Sequence, residues 1–256
     1  MKIKNKKIAI ILIGTNGYFL LACRFVNRFN KFYKGQNNIT FHMFTDKDPS
    51  NYLPDIKNFI YYKTFHKTWR EAVNDKFNCV KKIKTNEEYV YFFDADTNIQ
   101  KEFDDWFIGE HVVGKHFGYN ESVSDEMPFD RHKHSSCFIP MGTKNLNYYY
   151  GAFWGGKKNL VFNYCSEIKK LQEINKTINH EPVWNDESYT NYYFNFILKP
   201  NKIIETKDFQ FVTSCKGGMH KIRINVDVDL TTQEKIFREN KDKVLNILNN
   251  SVIIEK

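Results

Sequence analysis

Two rhythms of apolar and polar positions alternate along the first hundred residues. Ile8-Ala9-Ile10-Ile11-Leu12-Ile13 is an unbroken apolar run within residues 7–14, and it stops at Gly14-Thr15-Asn16-Gly17. A short apolar run bounded by turn residues predicts a buried strand. Phe19, Leu20, Cys23, Val26, Phe29 and Phe32 then recur at helical spacing, which predicts a helix over 18–33 ending before Gly35. Ile39 to Phe44 alternate as a strand that leads into Thr45-Asp46, and Phe59 to Tyr62 suggest a third. Thr68 to Ile83 reads as a helix capped by Thr68, with Glu71 three residues on. Tyr89-Val90-Tyr91-Phe92-Phe93 is again continuous and apolar, the pattern of a strand covered on both faces. This order predicts an α/β sheet with a ligand crevice at its strand ends.

After Asp96 the rhythm is less regular. Segment 120–136 is polar, rich in Ser, Asp and His, and predicts a mobile loop. Residues 148–156 are aromatic and glycine-rich, 157–175 suggest another helix, and 230–248 a last, basic amphipathic one. No internal repeat, Pro/Gly linker or low-complexity tract divides the chain, so residues 1–256 are expected to form one domain. Aromatic residues make up 16% of it, which implies a packed interior and excludes a disordered chain. The formal charge of +8 is spread along the sequence; it suits a solvated surface, or an anionic substrate, membrane surface or nucleic acid. No zinc-finger spacing or RNA-binding motif accompanies it. The five cysteines, Cys23, Cys79, Cys137, Cys165 and Cys215, are odd in number and far apart, as expected for reduced thiols in a cytoplasmic protein. The apolar run after the basic N-terminus is too short to span a bilayer and lacks a cleavage site, so it reads as a first strand and not a signal peptide.

The chemistry concentrates at a few points. Asp94-Ala95-Asp96 follows the Tyr89–Phe93 run directly. In an extended chain the two carboxylates share a face, and paired hard oxygens at a strand end suit a divalent cation that holds a diphosphate. Alone, Asp-x-Asp also fits a solvated turn. Trp184-Asn185-Asp186-Glu187-Ser188 groups a stacking surface, an amide, two carboxylates and a hydroxyl. Glu187 could serve as base, nucleophile or acceptor anchor; the same segment also fits a helix start with Asn185 or Asp186 capping and Trp184 as a staple. Tyr148-Tyr149-Tyr150-Gly151-Ala152-Phe153-Trp154-Gly155-Gly156 offers close backbone approach beside large rings, or a core strand ending in a turn. His116 is a possible polar contact. His132 and His134 form His-x-His, but no third ligand of suitable spacing follows, so no metal is expected there.

Taken together these segments resemble the retaining α1,3-glycosyltransferases of the histo-blood-group A/B transferase and α1,3-galactosyltransferase family, over residues 8–223. The resemblance rests on Phe44-Thr45-Asp46, Trp69, Asp94-Ala95-Asp96, His116-Phe117-Gly118-Tyr119, Ile139-Pro140 with the Tyr148–Gly156 block, Trp184–Ser188 with Asn191, and Lys199-Pro200, in the family's order with similar gaps. It implies a GT-A fold, a Rossmann-like nucleotide-sugar domain with a mixed central sheet flanked by helices. It also implies a hexosyltransferase that moves galactose or N-acetylgalactosamine from a UDP-sugar, with retention, to a galactose-containing glycan. By resemblance, Asp94 and Asp96 hold Mn²⁺ and the UDP diphosphate, and Ile13, Gly14, Thr15 and Tyr18 form the uridine pocket. Lys76 takes the place of an arginine, Tyr150, Gly151 and Ala152 meet the donor sugar, and Asn185 and Asp186 lie beside it. His116 and Trp184 meet the acceptor, and Glu187 faces the reacting anomeric carbon.

There are departures. Asn185 replaces a donor-contacting histidine, and Lys76 supplies a point charge without the arginine fork. The late acceptor positions align with Gln210 and Phe211, and Lys221, Arg223, Lys235 and Arg238 are the candidates for a basic segment over UDP. Lacking a transmembrane anchor, the chain resembles short microbial and phage members. Many of those replace Asp-x-Asp and dispense with metal; both aspartates here favour metal dependence. By the same resemblance, Ala152 aligns with a position where a methyl group tends to favour galactose over the N-acetylated sugar. Two rival classes remain at this point: a nucleotidylyltransferase-like enzyme, for which Gly14-Thr15-Asn16-Gly17 is a poor phosphate loop, and a non-enzymatic binder of anionic polymers.

Overall fold

The computed structural model describes residues 4–53, 56–97, 99, 101–119 and 122–205. Its elements are β1 (Lys7–Ile13), α1 (Tyr18–Phe32), β2 (Asn38–Thr45), β3 (Phe59–Lys63), α2 (Trp69–Lys82), β4 (Tyr89–Phe93), β5 (His111–Lys115), β6 (Tyr149–Lys157), α3 (Lys158–Thr177), α4 (Asp186–Tyr192) and β7 (Lys202–Ile204). A π-helical turn, Tyr193–Ile197, extends α4. The strands form one sheet in the order β3-β2-β1-β4-β6-β5-β7. β3, β2, β1 and β4 are parallel, β6 runs antiparallel to β4 and β5, and β7 is parallel to β5.

The order β3-β2-β1-β4 reverses direction between β1 and β4. Connections leave to opposite sides there, which opens a crevice beyond the carboxyl ends of those two strands. The two central strands β1 and β4 bury both faces, whereas the edge strand β3 is partly exposed. Ile8, Ile10 and Leu12 of β1 pack with Phe19, Phe25 and Phe29 of α1, while Ala9 and Ile11 face a second core with Phe77 and Val80 of α2 and Val161 and Ile168 of α3. That two-sided burial is why β1 and β4 read as continuous apolar runs instead of alternating ones. Trp154 of β6 stacks on Phe77 and Phe92, tying β4, β6 and α2 together. The predicted cap of α2 is present: the Thr68 side chain accepts from Glu71 N–H, and Glu71 in turn accepts from Lys67 N–H at 2.6 Å.

Two expectations change. The polar segment after residue 120 has no helix or strand among its described residues, but it is anchored. Met127 and Phe129 pack with Ile139 and Tyr148 in a small core, and the Arg131 guanidinium donates to the Ser124, Ile139 and Pro140 carbonyls. Buried aromatic and guanidinium contacts from positions without periodicity hold a segment that composition alone reads as mobile. Tyr148–Gly156 contains a core strand, and it continues into α3 at Lys158 without an intervening turn. No helix among the described residues is long and apolar enough to cross a membrane. The predicted helix 230–248 and the candidates Gln210, Phe211, Lys221, Arg223, Lys235 and Arg238 lie outside the described residues.

Candidate active site

The first wall of the crevice is the turn after β1. Gly14 N–H donates to Phe44 O at 2.8 Å, and a Cβ on Gly14 would lie 2.5 Å from the Ala22 Cβ, so glycine is what lets α1 fold back this tightly. Thr15 is buried, and its hydroxyl lies 3.4 Å from His66 Nδ1. Asn16 takes the left-handed conformation at φ 54°, donates its N–H to Asp46 Oδ1 at 3.0 Å and its side-chain amide to His66 O at 2.7 Å. Asp46 of the Phe-Thr-Asp segment thus pins the turn from the neighbouring strand end. Ile13 and Tyr18 are partly exposed on either side.

The second wall is the end of β4. Asp94 N–H donates to Ala152 O at 2.9 Å, which joins the Asp-Ala-Asp turn to the middle of β6. The Asp94 side chain is 27% exposed, whereas Asp96 is 6% exposed, so one carboxylate faces the crevice and the other lies against its floor. Because β6 is antiparallel, its amino-terminal half, Tyr149 to Ala152, lies at the same edge of the sheet as the carboxyl ends of β1 and β4.

The third wall is α4. Asn191 is fully buried and clamps the helix to β6: its Oδ1 accepts from Tyr149 N–H at 2.7 Å and its amide donates to Tyr149 O at 3.0 Å and Glu187 O at 2.8 Å. Ser188 Oγ accepts from Trp184 N–H at 3.1 Å, and the Thr190 hydroxyl lies 2.8 Å from Tyr164 OH of α3. The clamp brings Asp186 and Glu187 over Gly151. Glu187 Oε1 accepts from Gly151 N–H at 2.9 Å and its Oε2 accepts from Tyr148 OH at 3.2 Å. Asp186 Oδ2 lies 2.6 Å from Lys76 Nζ, which also donates to Gly151 O at 3.2 Å and lies 3.5 Å from Asp94 Oδ1. A Cβ on Gly151 would stand 2.6 Å from Asp186 Oδ2 and 3.2 Å from Glu187 Cγ, so only glycine admits both carboxylates. Burial alone would lower the Lys76 pKa; the charges of Asp186, Asp94 and Glu187 outweigh it and raise the value, so Lys76 is a cation at neutral pH. The Tyr150 hydroxyl is pushed far up by burial and by Asp94, Asp96, Glu187 and Asp186, so it is a neutral donor amid carboxylates.

His116 follows β5, and its ring lies 5.1 Å from that of Tyr150 and 5.5 Å from that of Tyr148, centroid to centroid. Trp184 is 50% exposed at the start of α4 and does not act as a buried staple. Asn185 precedes the helix, but its side chain makes no cap hydrogen bond. Its φ is +46°, and its Oδ1 is buried without a partner. The sequence-chosen residues Lys76, Asp94, Gly151, Asp186 and Glu187 therefore meet in one direct network. Sequence reasoning missed the clamping roles of Asn191, Asp46 and His66. Asn191 lies one turn after Glu187, on the same face of α4, and that spacing is the signal that could have found it. His132 stacks on His180 with ring centroids 4.3 Å apart, and His180 Nε2 lies 2.8 Å from Asp130 Oδ2, so the third histidine comes from a distant segment.

A mixed sheet whose parallel half carries an Asp-x-Asp turn at its switch point, beside a buried lysine–carboxylate network and a tyrosine-lined floor, is the architecture of a GT-A-type glycosyltransferase. The family model "Glycosyltransferase family 6" matches residues 2–225, and the chain belongs to that family. It is 28% identical over 226 residues to the O-antigen biosynthesis glycosyltransferase WbnI of Escherichia coli, covering 76% of this chain and 86% of that one. It is 24% identical over 200 residues to globoside alpha-1,3-N-acetylgalactosaminyltransferase 1 of Gallus gallus, covering 71% of this chain and 56% of the relative. It is 19% identical over 212 residues to histo-blood group ABO system transferase 2 of Rattus norvegicus, covering 79% and 63% respectively. The match therefore spans less than two thirds of these two animal relatives. Membership makes the chain a hexosyltransferase with a nucleotide-sugar donor and a glycan acceptor.

Proposed function

We propose that this enzyme transfers galactose from UDP-galactose, in α1,3 linkage and with retention, to a galactose-containing glycan, in a reaction that depends on Mn²⁺. The observation that carries the reading is the convergence of Asp94, Lys76, Asp186 and Glu187 around Gly151 at the sheet's switch point. Asp94 and Asp96 fit a hard divalent cation, because both are carboxylates on one turn and Asp94 is open to the crevice. Bound there, the ion would neutralise charge on the leaving diphosphate. Ile13, Gly14, Thr15 and Tyr18 hold uridine. Lys76 stays charged in a dry site, fixes Asp186 and adds positive field near the diphosphate. Tyr150, Gly151, Ala152, Asn185 and Asp186 receive the sugar, and the orphaned Asn185 Oδ1 accepts from one of its hydroxyls. His116 and Trp184 hold the acceptor.

Glu187 is the catalytic carboxylate. Gly151 N–H and Tyr148 O–H hold one oxygen each, so its charge is oriented before substrate arrives. As the bond from the anomeric carbon to the UDP oxygen breaks, that charge stabilises the oxocarbenium-like carbon. The acceptor hydroxyl then joins it on the face UDP leaves, and its proton passes to the departing phosphate or to Glu187. The names of the relatives support the α1,3 linkage and the glycan acceptor. The family match over nearly the whole length supports one catalytic domain. Four free, buried cysteines, Cys23, Cys79, Cys137 and Cys165, fit a cytoplasmic setting.

The test is calorimetry with UDP, with and without Mn²⁺, followed by turnover of UDP-galactose and UDP-N-acetylgalactosamine on one acceptor panel. Asp94→Asn or Asp96→Asn is expected to reduce Mn²⁺-dependent turnover by at least about tenfold, roughly 1.4 kcal/mol. Full activity of the parent enzyme in EDTA refutes metal dependence. A clear preference for the N-acetylated donor refutes the assignment of galactose from Ala152.

A further inference from the structure

Behind the β1 turn, two side chains converge on one carboxylate oxygen of a third. His66 Nε2 lies 3.3 Å from Asp75 Oδ2, and Cys79 Sγ lies 3.4 Å from the same oxygen. The ligand atoms of all three residues lie within 4.8 Å of one another. Asp75 and Cys79 are one turn apart on α2, so both project from the same face of the helix. His66 comes from the segment before α2. His66 and Cys79 are buried, at 4% and 0% exposure.

From these positions we infer a transition-metal site, distinct from the Asp94–Asp96 turn, in which His66, Asp75 and Cys79 bind Zn²⁺. The spacing is the first argument. Zinc bonds of about 2.0–2.2 Å to nitrogen and oxygen and about 2.3 Å to sulfur place neighbouring ligands of a tetrahedron about 3.3–3.6 Å apart. Two of the three edges are 3.3 and 3.4 Å, and the third is within 4.8 Å. The His66–Asp75 contact is longer than an ordinary N–H···O bond of about 2.7–3.2 Å, so it is a loose hydrogen bond but a correct ligand edge.

The surroundings are the second argument. Zinc-binding histidines donate their other ring N–H to an oxygen, and the Thr15 hydroxyl, 3.4 Å from His66 Nδ1, is the oxygen placed to take that role with Nε2 turned to the ion. Asp75 Oδ1 accepts from the Asn78 amide at 2.7 Å, which aims Oδ2 at the cluster. Binding as a thiolate would release the Cys79 proton to solvent, one proton per zinc. Lys82 Nζ lies 4.0 Å from Asp75 Oδ2, and its side chain is 62% exposed, so it is not locked in the cluster. The partly exposed edge of Asp75 leaves the fourth position to water. The ion would fasten the Gly14–Gly17 turn to α2 through Thr15 and His66.

Chelator-stripped full-length protein carrying Cys215→Ala, dialysed against ZnSO₄, is expected to retain one equivalent of zinc. With Co²⁺ in its place, a thiolate-to-cobalt charge-transfer band is expected. Cys79→Ser and His66→Gln should each weaken zinc binding at least tenfold, while Asp94→Asn/Asp96→Asn and His132→Gln/His134→Gln proteins retain it. No stoichiometric zinc, no thiolate band in the Cys215→Ala protein, or unchanged affinity in Cys79→Ser each overturns the site. If the Cys79 variant does not fold, the cobalt spectrum of the Cys215→Ala protein decides. Because zinc retention is read without any sugar donor, its loss or survival is separate from the fate of the transferase assignment.

Discussion

Replacing Lys76 by methionine tests whether the buried cation organises the site or only fills space. The methionine keeps most of the aliphatic stem, which lies under the crevice at 3% residue exposure. It removes the ammonium from Asp186 Oδ2 at 2.6 Å, from Asp94 Oδ1 at 3.5 Å, and from the Phe92 ring face, 4.8 Å from its centroid. Breaking a buried ion pair by deleting one partner typically costs about 3–5 kcal/mol, because the remaining charge stays desolvated. The Asp186 side chain keeps 10% exposure and Asp94 keeps 27%, so water reaches part of the stranded charge and the lower end, about 3 kcal/mol, is expected here. For a chain of this size that corresponds to a fall in Tm of about 6–12 °C. Urea denaturation followed by fluorescence gives the free energy, and a cycle with Asp186→Asn isolates the pair. The double variant should recover about 1–3 kcal/mol relative to the sum of the single ones. A Lys76→Met cost below about 1 kcal/mol, with coupling to Asp186 near zero, refutes the claim that the pair is held dry and charged.

Glu187→Gln keeps the shape and removes the charge, so glycosyl transfer should fall about a hundredfold or more while UDP affinity and Tm change little; transfer within a few-fold of the parent removes Glu187 from catalysis. His111 gives a pH prediction. Burial among Tyr164, Tyr193 and Phe194 lowers its pKa from 6.5 to about 4, with neither ring nitrogen hydrogen-bonded. The unfolded chain takes up this proton first, so stability is lost as pH falls through the window from 6.5 to about 4 and is regained on raising it. The loss is about 3 kcal/mol, and His111→Leu should lack that part of the pH dependence; parallel stability–pH curves for the two proteins refute it.

Legibility followed the range of the interactions. β1, β4, α1 and the Thr68 cap were readable because their signals are local: continuous apolar runs, 3.6-residue spacing, a hydroxyl three residues before a carboxylate. The placement of Asp94 and Asp96 at a strand end was readable for the same reason, since the strand precedes them directly. β5 and β7 were not identified. Lys202–Ile204 has only three residues, and its strand character comes from pairing with Val112–Gly114 far back in the chain. The antiparallel insertion of β6 is also a property of pairing and not of composition. Asn191, Asp46 and His66 act by hydrogen bonds to residues 42, 30 and 51 positions away, and no periodicity encodes such partners.

The same non-local network bears on the least comfortable residue of the site. Asn185 combines a positive φ with a buried acceptor that has no donor. Its φ of 46° comes with a ψ of −118°, outside the left-handed helical well that asparagine tolerates, and such a backbone costs on the order of 1–3 kcal/mol. An unsatisfied buried acceptor costs a further 1–3 kcal/mol or so. A surface turn would relax away from both. Here α4 has seven residues and cannot set its own position, yet it is fastened by Asn191 to β6, by Thr190 to α3 and by Asp186 to Lys76. Those contacts over-determine the entry to the helix and hold Asn185 in place. The strain therefore sits beside the two carboxylates of the site, and the missing hydrogen bond is one that a sugar hydroxyl has the chemistry to supply. In the proposed reaction the donor would relieve a cost already present in the free enzyme, which turns a local fault of the fold into affinity for the substrate.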